Sequence, residues 1–350
     1  MRVSQSTLIL LAGLLLVGPI ECRPRSSVRP LPTSELLAGH WDGPLHPSAP
    51  VSQAIAKQRA QDLFKKFRRD LNSDRPFQEV DIPLTLRGYR PYVQANWSGR
   101  KLDCMVDTGS YFISWPQWLQ LDTQQLGVPW SSAGPEGPPI PGEMMVSPRI
   151  QIGNLTLINM MTEATGVPKP SPLSAKRQMR MSGVPDPILG IYAFVSCVFT
   201  IDYRHNKLIL RNRDYDVTRL PKAPHTLLVP YEEDIARRVI LPGTLAGHPA
   251  RFMLDTGSVW MCASAEFARK NLGYVPKPGF SWDSVYTSHP SPPVVRNVAT
   301  TLVGKPFKIP NLYVAERTGN VDVMLGAAFF YGTRVTIDPV RKVVLLERNP

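Results

Sequence analysis

An internal repeat constrains the fold of this chain more than any other feature of its sequence. Residues 106–110 (VDTGS) recur as residues 254–258 (LDTGS), and residues 150–161 resemble residues 301–313. Further along each copy comes an apolar pair with a glycine, followed by two apolar runs that are typical of a β-hairpin. These landmarks are Ile188-Leu189-Gly190 with Met324-Leu325-Gly326, and residues 200–210 with residues 336–346.

The two copies keep the same order along the chain. The offset is 148 residues from Asp107 to Asp255, 151 from Gly153 to Gly304, 136 from Gly190 to Gly326 and 136 from Asp202 to Asp338. The offset drops at one place, because the first copy is longer in the stretch 166–185, which is rich in Pro, Ser, Lys and Arg. We predict that this stretch is a surface loop.

Each copy alternates short apolar runs with Gly and Pro turns, and the chain holds 36 prolines and 24 glycines. This pattern favours short strands over long helices. We therefore predict an all-β protein with two similar, small β-barrel-like lobes related by a pseudo-twofold axis. The predicted divisions are a signal peptide at 1–22, a basic leader or propeptide at 23–80, an N-terminal lobe at 81–217 and a C-terminal lobe at 218–350.

Composition narrows the classes of protein. With 43% hydrophobic and 19% charged residues the chain can bury a core, which excludes a wholly disordered protein. Its four cysteines form no CxxC pair and its six histidines are scattered, so the sequence predicts neither a metal site nor a cofactor. The net charge of +12 fits an anionic partner, but no zinc finger, helix-turn-helix or RNA-binding motif supports nucleic acid binding.

The N-terminus is typical of an exported protein. Arg2 precedes an apolar run at 8–17, and Gly18 and Pro19 follow it, as in a signal peptide. The run is shorter than the ~20 apolar residues that cross a bilayer, so no stable membrane span is expected. We predict a secreted or periplasmic protein after removal of the signal peptide.

The basic leader contains one amphipathic segment. Residues 54–71 place apolar side chains among basic ones, which predicts a helix and makes the leader partly helical. Three roles remain open for it: a helix that packs on the main body, an inhibitory propeptide of a zymogen, or a contact with an anionic surface.

The repeated Asp-Thr-Gly-Ser turn carries the chemistry. Such a turn after an apolar strand holds a carboxylate on a tight bend, where backbone N–H groups can hydrogen-bond it. One copy alone is explained by an Asp whose carboxylate only accepts hydrogen bonds from the N–H groups of its own turn. Two copies at equivalent places allow the pseudo-twofold axis to bring Asp107 and Asp255 face to face. Two close carboxylates share one proton and can activate a water between them, so these two residues are the predicted catalytic pair.

With these motifs, the sequence resembles the aspartic proteases of the pepsin and retropepsin group, from about residue 83 to the C-terminus. The residues that follow Asp255, at 263–268 (ASAEFA), are more similar to retropepsins, whereas Trp115-Pro116 is more similar to pepsins. The resemblance implies a fused, two-lobed retropepsin-like enzyme, active as a monomer that contains an intramolecular pseudo-dimer.

The resemblance also implies an aspartic endopeptidase that acts on peptide or protein substrates without a cofactor. We expect apolar side chains beside the scissile bond and an acidic to mildly acidic optimum. By the same resemblance, the Ser hydroxyls orient the outer carboxylate oxygens and the Thr side chains brace the two loops. The implied supporting residues are Thr108, Gly109, Ser110, Thr256, Gly257 and Ser258, and those that pack beside the loops are Ile188, Leu189, Gly190, Met324, Leu325 and Gly326.

The sequence departs from pepsins at the flap that covers the cleft. No Tyr-Gly-Thr-Gly occurs between Gly127 and Gly153, and residues 134–142 (GPEGPPIPG) stand in its place. Prolines cannot donate ladder hydrogen bonds, so a stiff loop is expected there. The alternative function is therefore a non-catalytic, exported peptide-binding module with a protease-like fold.

Overall fold

The computed structural model describes residues 68–71, 79–132, 140–166, 186–195, 197–220, 225–234, 238–274, 294–302, 304–315 and 321–348. The predicted signal peptide, most of the leader and the predicted loop beyond Gly166 lie outside these residues. What the sequence predicts for those segments therefore stays a prediction.

Twenty-two strands and two short α-helices build the described part of the chain. The first twelve strands are β1 Arg68–Leu71, β2 Glu79–Pro83, β3 Thr85–Arg87, β4 Arg90–Trp97, β5 Arg100–Asp107, β6 Ile113–Pro116, β7 Gln124–Ser132, β8 Ile140–Ile152, β9 Leu155–Thr165, β10 Ile188–Gly190, β11 Cys197–Asp202 and β12 Lys207–Asn212. The others are β13 Thr226–Pro230, β14 Glu232–Glu233, β15 Val239–Leu245, β16 His248–Asp255, β17 Cys262–Ser264, α1 Ala265–Asn271, β18 Val294–Leu302, β19 Lys305–Ala315, β20 Val323–Gly326, α2 Ala327–Phe330, β21 Arg334–Asp338 and β22 Val343–Glu347.

Three sheets organise these strands. A nine-stranded sheet forms the N-terminal lobe and a seven-stranded sheet, β14-β15-β16-β20-β17-β19-β18, forms the C-terminal lobe. The third sheet has the order β13-β22-β21-β11-β12-β2, so strands from both repeats pair edge to edge in it. At its centre β11 pairs with β21, and the hydroxyls of Thr200 and Thr336 lie 2.8 Å apart across the pseudo-twofold axis. The prediction of an all-β, two-lobed fold is confirmed.

The repeated hairpins form where the sequence places them. β8 turns into β9 at Gly153, and β18 turns into β19 at Gly304, with φ of +56° and +73° respectively. This left-handed backbone region is costly for side chains with a Cβ, which is why glycine marks both turns. The hairpins β11–β12 and β21–β22 occupy the last predicted landmark in each copy.

A continuous apolar core joins the two lobes, because buried residues of both repeats and of the shared sheet contact one another. Within the N-terminal lobe, two buried tryptophans need partners for their indole N–H groups. Trp97 donates to Ser147 Oγ at 3.0 Å, and Trp115 donates to Thr162 Oγ1 at 3.3 Å. Both hydrogen bonds tie neighbouring strands together across the lobe.

Residues 68–71 of the leader form a strand, not part of a helix. Arg68–Leu71 pairs antiparallel with β9, with Arg68 opposite Ile158 and Leu71 opposite Leu155. The predicted helix over 54–71 is therefore wrong for its last four residues, and its earlier part lies outside the described residues. The edge of β9 offers a row of backbone donors and acceptors, and pairing with that edge outweighs a local amphipathic pattern.

The segment expected to be a stiff loop belongs partly to a hairpin. β7 and β8 pair antiparallel from Gln124 opposite Val146 to Ser132 opposite Ile140, with a bulge between Gln125 and Val128. The loop expectation is thus wrong for residues 140–142, whereas residues 133–139 lie outside the described chain. Pro141 fits the sheet because its carbonyl still accepts, here from the N–H of Gly166 at 2.7 Å.

Within the described residues, no helix is both long and apolar enough to span a membrane. The same part of the chain holds no group of three or more His, Cys, Asp or Glu side chains that could bind a metal ion.

Candidate active site

Each repeat delivers its aspartate at the end of a strand in the same register. In the N-terminal lobe β5 ends at Asp107, which lies opposite Gly190 of the parallel strand β10. In the C-terminal lobe β16 ends at Asp255, opposite Gly326 of the parallel strand β20. Because an apolar strand fixes each aspartate from below, the two repeats present their carboxylates in equivalent positions.

The glycine of each apolar-apolar-Gly motif allows its strand to pass close to the aspartate loop. A Cβ at Gly190 would overlap the carbonyls of Tyr111 and Phe112, and a Cβ at Gly326 would overlap that of Trp260. The next residue holds the loop from the other side: the N–H of Ile191 donates to Ser110 O at 2.9 Å, and that of Ala327 donates to Ser258 O at 2.7 Å. The equivalent contacts show that both motifs support their loops in the same way.

Two buried threonines join the aspartate loops reciprocally. Thr108 Oγ1 donates to Leu254 O at 2.9 Å and accepts from the N–H of Thr256 at 3.1 Å. Thr256 Oγ1 donates to Val106 O at 2.7 Å and accepts from the N–H of Thr108 at 3.1 Å. Each side chain thus satisfies buried backbone groups of the opposite lobe, and the four bonds fix the separation of the two loops.

The two aspartates meet at this seam. The carboxyl groups of Asp107 and Asp255 lie close enough to perturb each other's pKa, with Asp255 buried and Asp107 partly exposed. The glycine of each loop faces the aspartate of the other lobe: a Cβ at Gly109 would lie 2.7 Å from Asp255 Oδ2, and one at Gly257 would overlap the Asp107 carboxyl. Only glycine therefore permits this approach.

Burial raises the pKa of both carboxyl groups, and each group also acts on the other. Desolvation raises the pKa of Asp107, and the neighbouring charge of Asp255 raises it further. Desolvation also raises the pKa of Asp255, but hydrogen bonds from the N–H of Ser258 and from Asp107 oppose that rise. Because the pair cannot ionise fully at low cost, it retains one shared proton above the pH range in which an ordinary carboxyl group loses its own.

The serine hydroxyls of the two loops are hydrogen-bonded to backbone carbonyls. Ser110 Oγ donates to Phe112 O at 3.3 Å, and Ser258 Oγ donates to Trp260 O at 3.2 Å. The role that the resemblance implies, orienting the outer carboxylate oxygens, therefore stays a prediction. Backbone carbonyls two residues on compete for the short hydroxyls, as is common for serines in turns.

Backbone N–H groups donate hydrogen bonds to both carboxylates, and they do so unequally. Asp255 Oδ1 accepts from Gly257 at 3.0 Å and from Ser258 at 2.9 Å. Asp107 Oδ1 accepts from Gly109 at 2.8 Å, whereas the N–H of Ser110 donates to the backbone carbonyl of Asp107 at 3.3 Å.

Three charged or polar residues near the pair are not evident from the motifs. The positive charge of Arg90 acts on Asp107 and that of Arg238 acts on Asp255, in each case lowering the pKa of the carboxyl group. Tyr203 is buried and lies where the charges of both aspartates act on its hydroxyl. Of the three, only Tyr203 could have been noticed in the sequence, because the two repeats differ at its position. Tyr203 follows Thr200-Ile201-Asp202, whereas Pro339 follows the equivalent Thr-Ile-Asp of the second repeat.

Solved structures share this architecture. The aspartic proteinase from Irpex lacteus superposes with a TM-score of 0.52 at 12% sequence identity, over 77% of this chain and 97% of that one. This chain has the pepsin-like two-lobed fold. The basic 7S globulin from soybean has a TM-score of 0.45 at 12% identity, over 78% of this chain and 95% of that one. No protein-family model and no curated protein matches the sequence.

An identity of 12% makes the likeness one of fold. Within this pepsin-like fold, the residues at the seam between the lobes therefore decide whether the protein can catalyse a reaction. The structure brings together the predicted pair and its threonine and glycine supports, and it places the two apolar-apolar-Gly motifs directly beside them.

Proposed function

We propose that this protein is an aspartic endopeptidase that hydrolyses peptide bonds with a water activated between Asp107 and Asp255. The observation that carries the proposal is the approach of the two aspartates at the seam, where the glycine of each loop lies against the carboxyl group of the other lobe. Two desolvated carboxyl groups held this close weaken the fold, yet both repeats support the pair with equivalent contacts. A pair kept at such a cost favours a chemical role.

The proposed reaction needs one ionised and one protonated aspartate. The ionised carboxylate takes a proton from the water as the water oxygen attacks the peptide carbonyl carbon, and the other aspartate gives its proton to the carbonyl oxygen. A tetrahedral diol results. The newly protonated aspartate then donates to the leaving amide nitrogen while the other recovers a proton from the diol. The C–N bond breaks, and the dyad regains its starting charge.

The pH dependence follows from the number of protons on the pair. Full protonation removes the base at low pH, and loss of the shared proton removes the acid at high pH, so kcat/KM is bell-shaped. Because burial raises the pKa of both groups, the alkaline limb lies above the ordinary carboxyl range. We therefore expect activity from acidic to mildly acidic pH, with some persisting toward neutrality.

Apolar groups beside Asp255 support a preference for apolar substrates. Trp260 lies two residues beyond Ser258 and is 48% exposed, and its ring contacts that of Tyr313 at a centroid distance of 4.9 Å. Its counterpart in the first repeat, Phe112, is buried. An exposed aromatic side chain five residues after Asp255 suits an extended peptide with apolar side chains.

Export and latency are part of the proposal. The signal-like segment at 1–22 would direct the protein out of the cell, and the basic leader would keep a zymogen inactive until it is removed. The pairing of Arg68–Leu71 with β9 supports close attachment of the leader to the N-terminal lobe. Equal activity of the full-length and leader-deleted proteins at every pH would contradict latency and leave the peptidase proposal intact.

A peptide-library digest tests the proposed activity. The wild-type protein, Asp107→Asn, Asp255→Asn and the surface control Asp122→Asn are compared across acidic to neutral pH, with circular dichroism to verify folding. We expect each dyad variant to lose roughly 10²- to 10⁴-fold in kcat/KM, because each loses an acid or a base, whereas the control keeps its activity. A statine-type mimic should inhibit the wild type. Peptide binding without turnover in the wild-type protein would contradict the proposal and favour the non-catalytic peptide-binding module.

A further inference from the structure

Two exposed aromatic side chains, one from each repeat, contact each other across the lobes. The rings of Tyr89 and Tyr331 have a centroid distance of 5.1 Å and an interplanar angle of 74°, which is an edge-to-face contact. Both side chains are exposed to solvent, by 43% for Tyr89 and by 60% for Tyr331. The contact therefore lies at the surface, outside the continuous apolar core that joins the lobes.

Tyr89 has a backbone conformation that its side chain disfavours. Gly88 and Tyr89 form the two-residue turn between β3 and β4, and their φ angles are +55° and +71°. Such a turn favours glycine at its second position, because a Cβ is strained in the left-handed region. A glycine at position 89 would relieve this strain but would lose the ring. The contact with Tyr331 therefore explains why a tyrosine stands there.

Tyr331 differs from its counterpart in the first repeat. Val195 stands five residues after Gly190, and Tyr331 stands five residues after Gly326. Val195 is partly buried and packs against the core, whereas Tyr331 is exposed. The fold thus accepts a smaller apolar side chain that packs inward at this position, and the second repeat instead places a larger ring against the other lobe.

Both rings are attached to elements that support the aspartates. Tyr331 directly follows α2, and α2 begins directly after Gly326, which lies opposite Asp255. Tyr89 directly precedes β4, which pairs with β5, the strand that ends at Asp107. Helix α2 also packs against β4. The ring contact therefore holds together one element from each lobe that carries or supports an aspartate loop.

We propose that Tyr89 and Tyr331 form an interlobe aromatic latch, a surface contact that keeps the lobes together at the seam and whose release lets them separate. An exposed edge-to-face contact shifts an equilibrium by only about two- to twelvefold, so thermal motion can break it without unfolding either lobe. The shared sheet still connects the lobes when the latch is open. The latch goes beyond the proposed peptidase function, because it concerns the motion of the lobes and not the chemistry of the dyad.

Hydrogen exchange at two seam amides measures the separation of the lobes. The N–H of Thr108 donates to Thr256 Oγ1 and the N–H of Thr256 donates to Thr108 Oγ1, so each amide loses its partner when the lobes separate. Exchange is followed by NMR in the wild type, in Tyr331→Ala and in Tyr89→Gly, which also relieves the strained backbone. We expect both amides to exchange about two- to twelvefold faster in each variant, because the closed state loses the ring contact.

Tyr89→Phe and Tyr331→Phe are the matched controls, because they keep both rings and should keep wild-type exchange. Amides of the hairpin β18–β19, which pairs within the C-terminal lobe, should keep their rates in every variant. The double variant Tyr89→Gly/Tyr331→Ala should exchange no faster than the faster single variant, since both substitutions remove the same contact. Unchanged seam exchange in the single variants, equal acceleration in the hairpin, or multiplied effects in the double variant overturns the proposal. The measurement requires no substrate, so it decides the latch even if the wild type cleaves no peptide and the proposed function fails.

Discussion

The reciprocal threonine bridge predicts a large loss of stability from one missing oxygen. Thr108→Val keeps the shape of the side chain but removes Oγ1, which donates to Leu254 O and accepts from the N–H of Thr256. Thr108 is 1% exposed, so water cannot replace either bond without a rearrangement of the seam. Each buried group left unpaired costs about 1–3 kcal/mol, so the free energy of unfolding should fall by about 2–6 kcal/mol.

Urea denaturation followed by tryptophan fluorescence measures this loss, with two controls. Thr108→Ser keeps the hydroxyl and should lose about 1 kcal/mol, mainly from one missing methyl group. Thr300→Val removes an equally buried hydroxyl that donates to Val298 O within its own strand, and should lose about 0.5–1.5 kcal/mol.

A double-mutant cycle with Thr256→Val decides whether the two threonines act as one unit. Because each hydroxyl also braces the loop that carries the other threonine, the combined loss should differ from the sum of the single losses by about 0.5–3 kcal/mol. Thr108→Val within about 0.5 kcal/mol of the wild type, or additive losses, would refute the account of an interlobe bridge.

Three further outcomes follow from the seam and the leader. Gly109→Ala should abolish peptide cleavage, because its Cβ would enter the space of the Asp255 carboxyl. The control Gly247→Ala has no atoms near its Cβ, so it should keep activity and lose about 1 kcal/mol of stability from its left-handed backbone. Equal activities of the two variants would contradict this. The raised pKa of Asp107 means that the folded protein keeps a proton that the unfolded chain releases, so stability should fall as the pH rises above the ordinary carboxyl range. Thermal unfolding should show that Asp107→Asn flattens this fall. An unchanged slope of stability against pH in the variant would contradict the prediction. Deletion of residues 23–74 should leave the circular dichroism of the lobes intact and raise activity toward peptides at mildly acidic pH, and an unfolded product would show that β1 is essential to the fold.

The fold was predictable from sequence because the repeat encodes it twice. A single Asp-Thr-Gly-Ser turn has several explanations, but two copies with matching downstream motifs at constant order leave few alternatives to a pseudo-twofold arrangement. The parallel pairing of Gly190 with Asp107 and of Gly326 with Asp255 is the physical reason that both motifs travel together.

The errors lie where pairing between strands decides the structure. Arg68–Leu71 has a helical pattern, but the edge of β9 draws it into a sheet. Residues 140–142 contain a proline, but a carbonyl that can still accept keeps them in the ladder. For Arg68–Leu71 the deciding partner lies far away in the chain, where local pattern gives no information. Residues 140–142 pair with the neighbouring strand β7, and Gly142 also pairs with Thr165 of β9.

The differences between the two lobes could not be predicted from the repeat for a related reason. A duplicated motif predicts equal environments, yet Ser110 and Ser258 donate their backbone N–H groups to different oxygens. The position of Tyr203 relative to the aspartates depends on the shared sheet, which forms only once both repeats have folded.

The proposed hydrolysis requires two carboxyl groups, one from each repeat, to approach each other, and a high-resolution crystal structure measures that approach directly. It should show an oxygen of Asp107 within hydrogen-bond distance of an oxygen of Asp255, about 3 Å, with both threonine bridges formed. Carboxyl groups more than about 6 Å apart with no bridging solvent would contradict the shared proton, and with it the proposed hydrolysis.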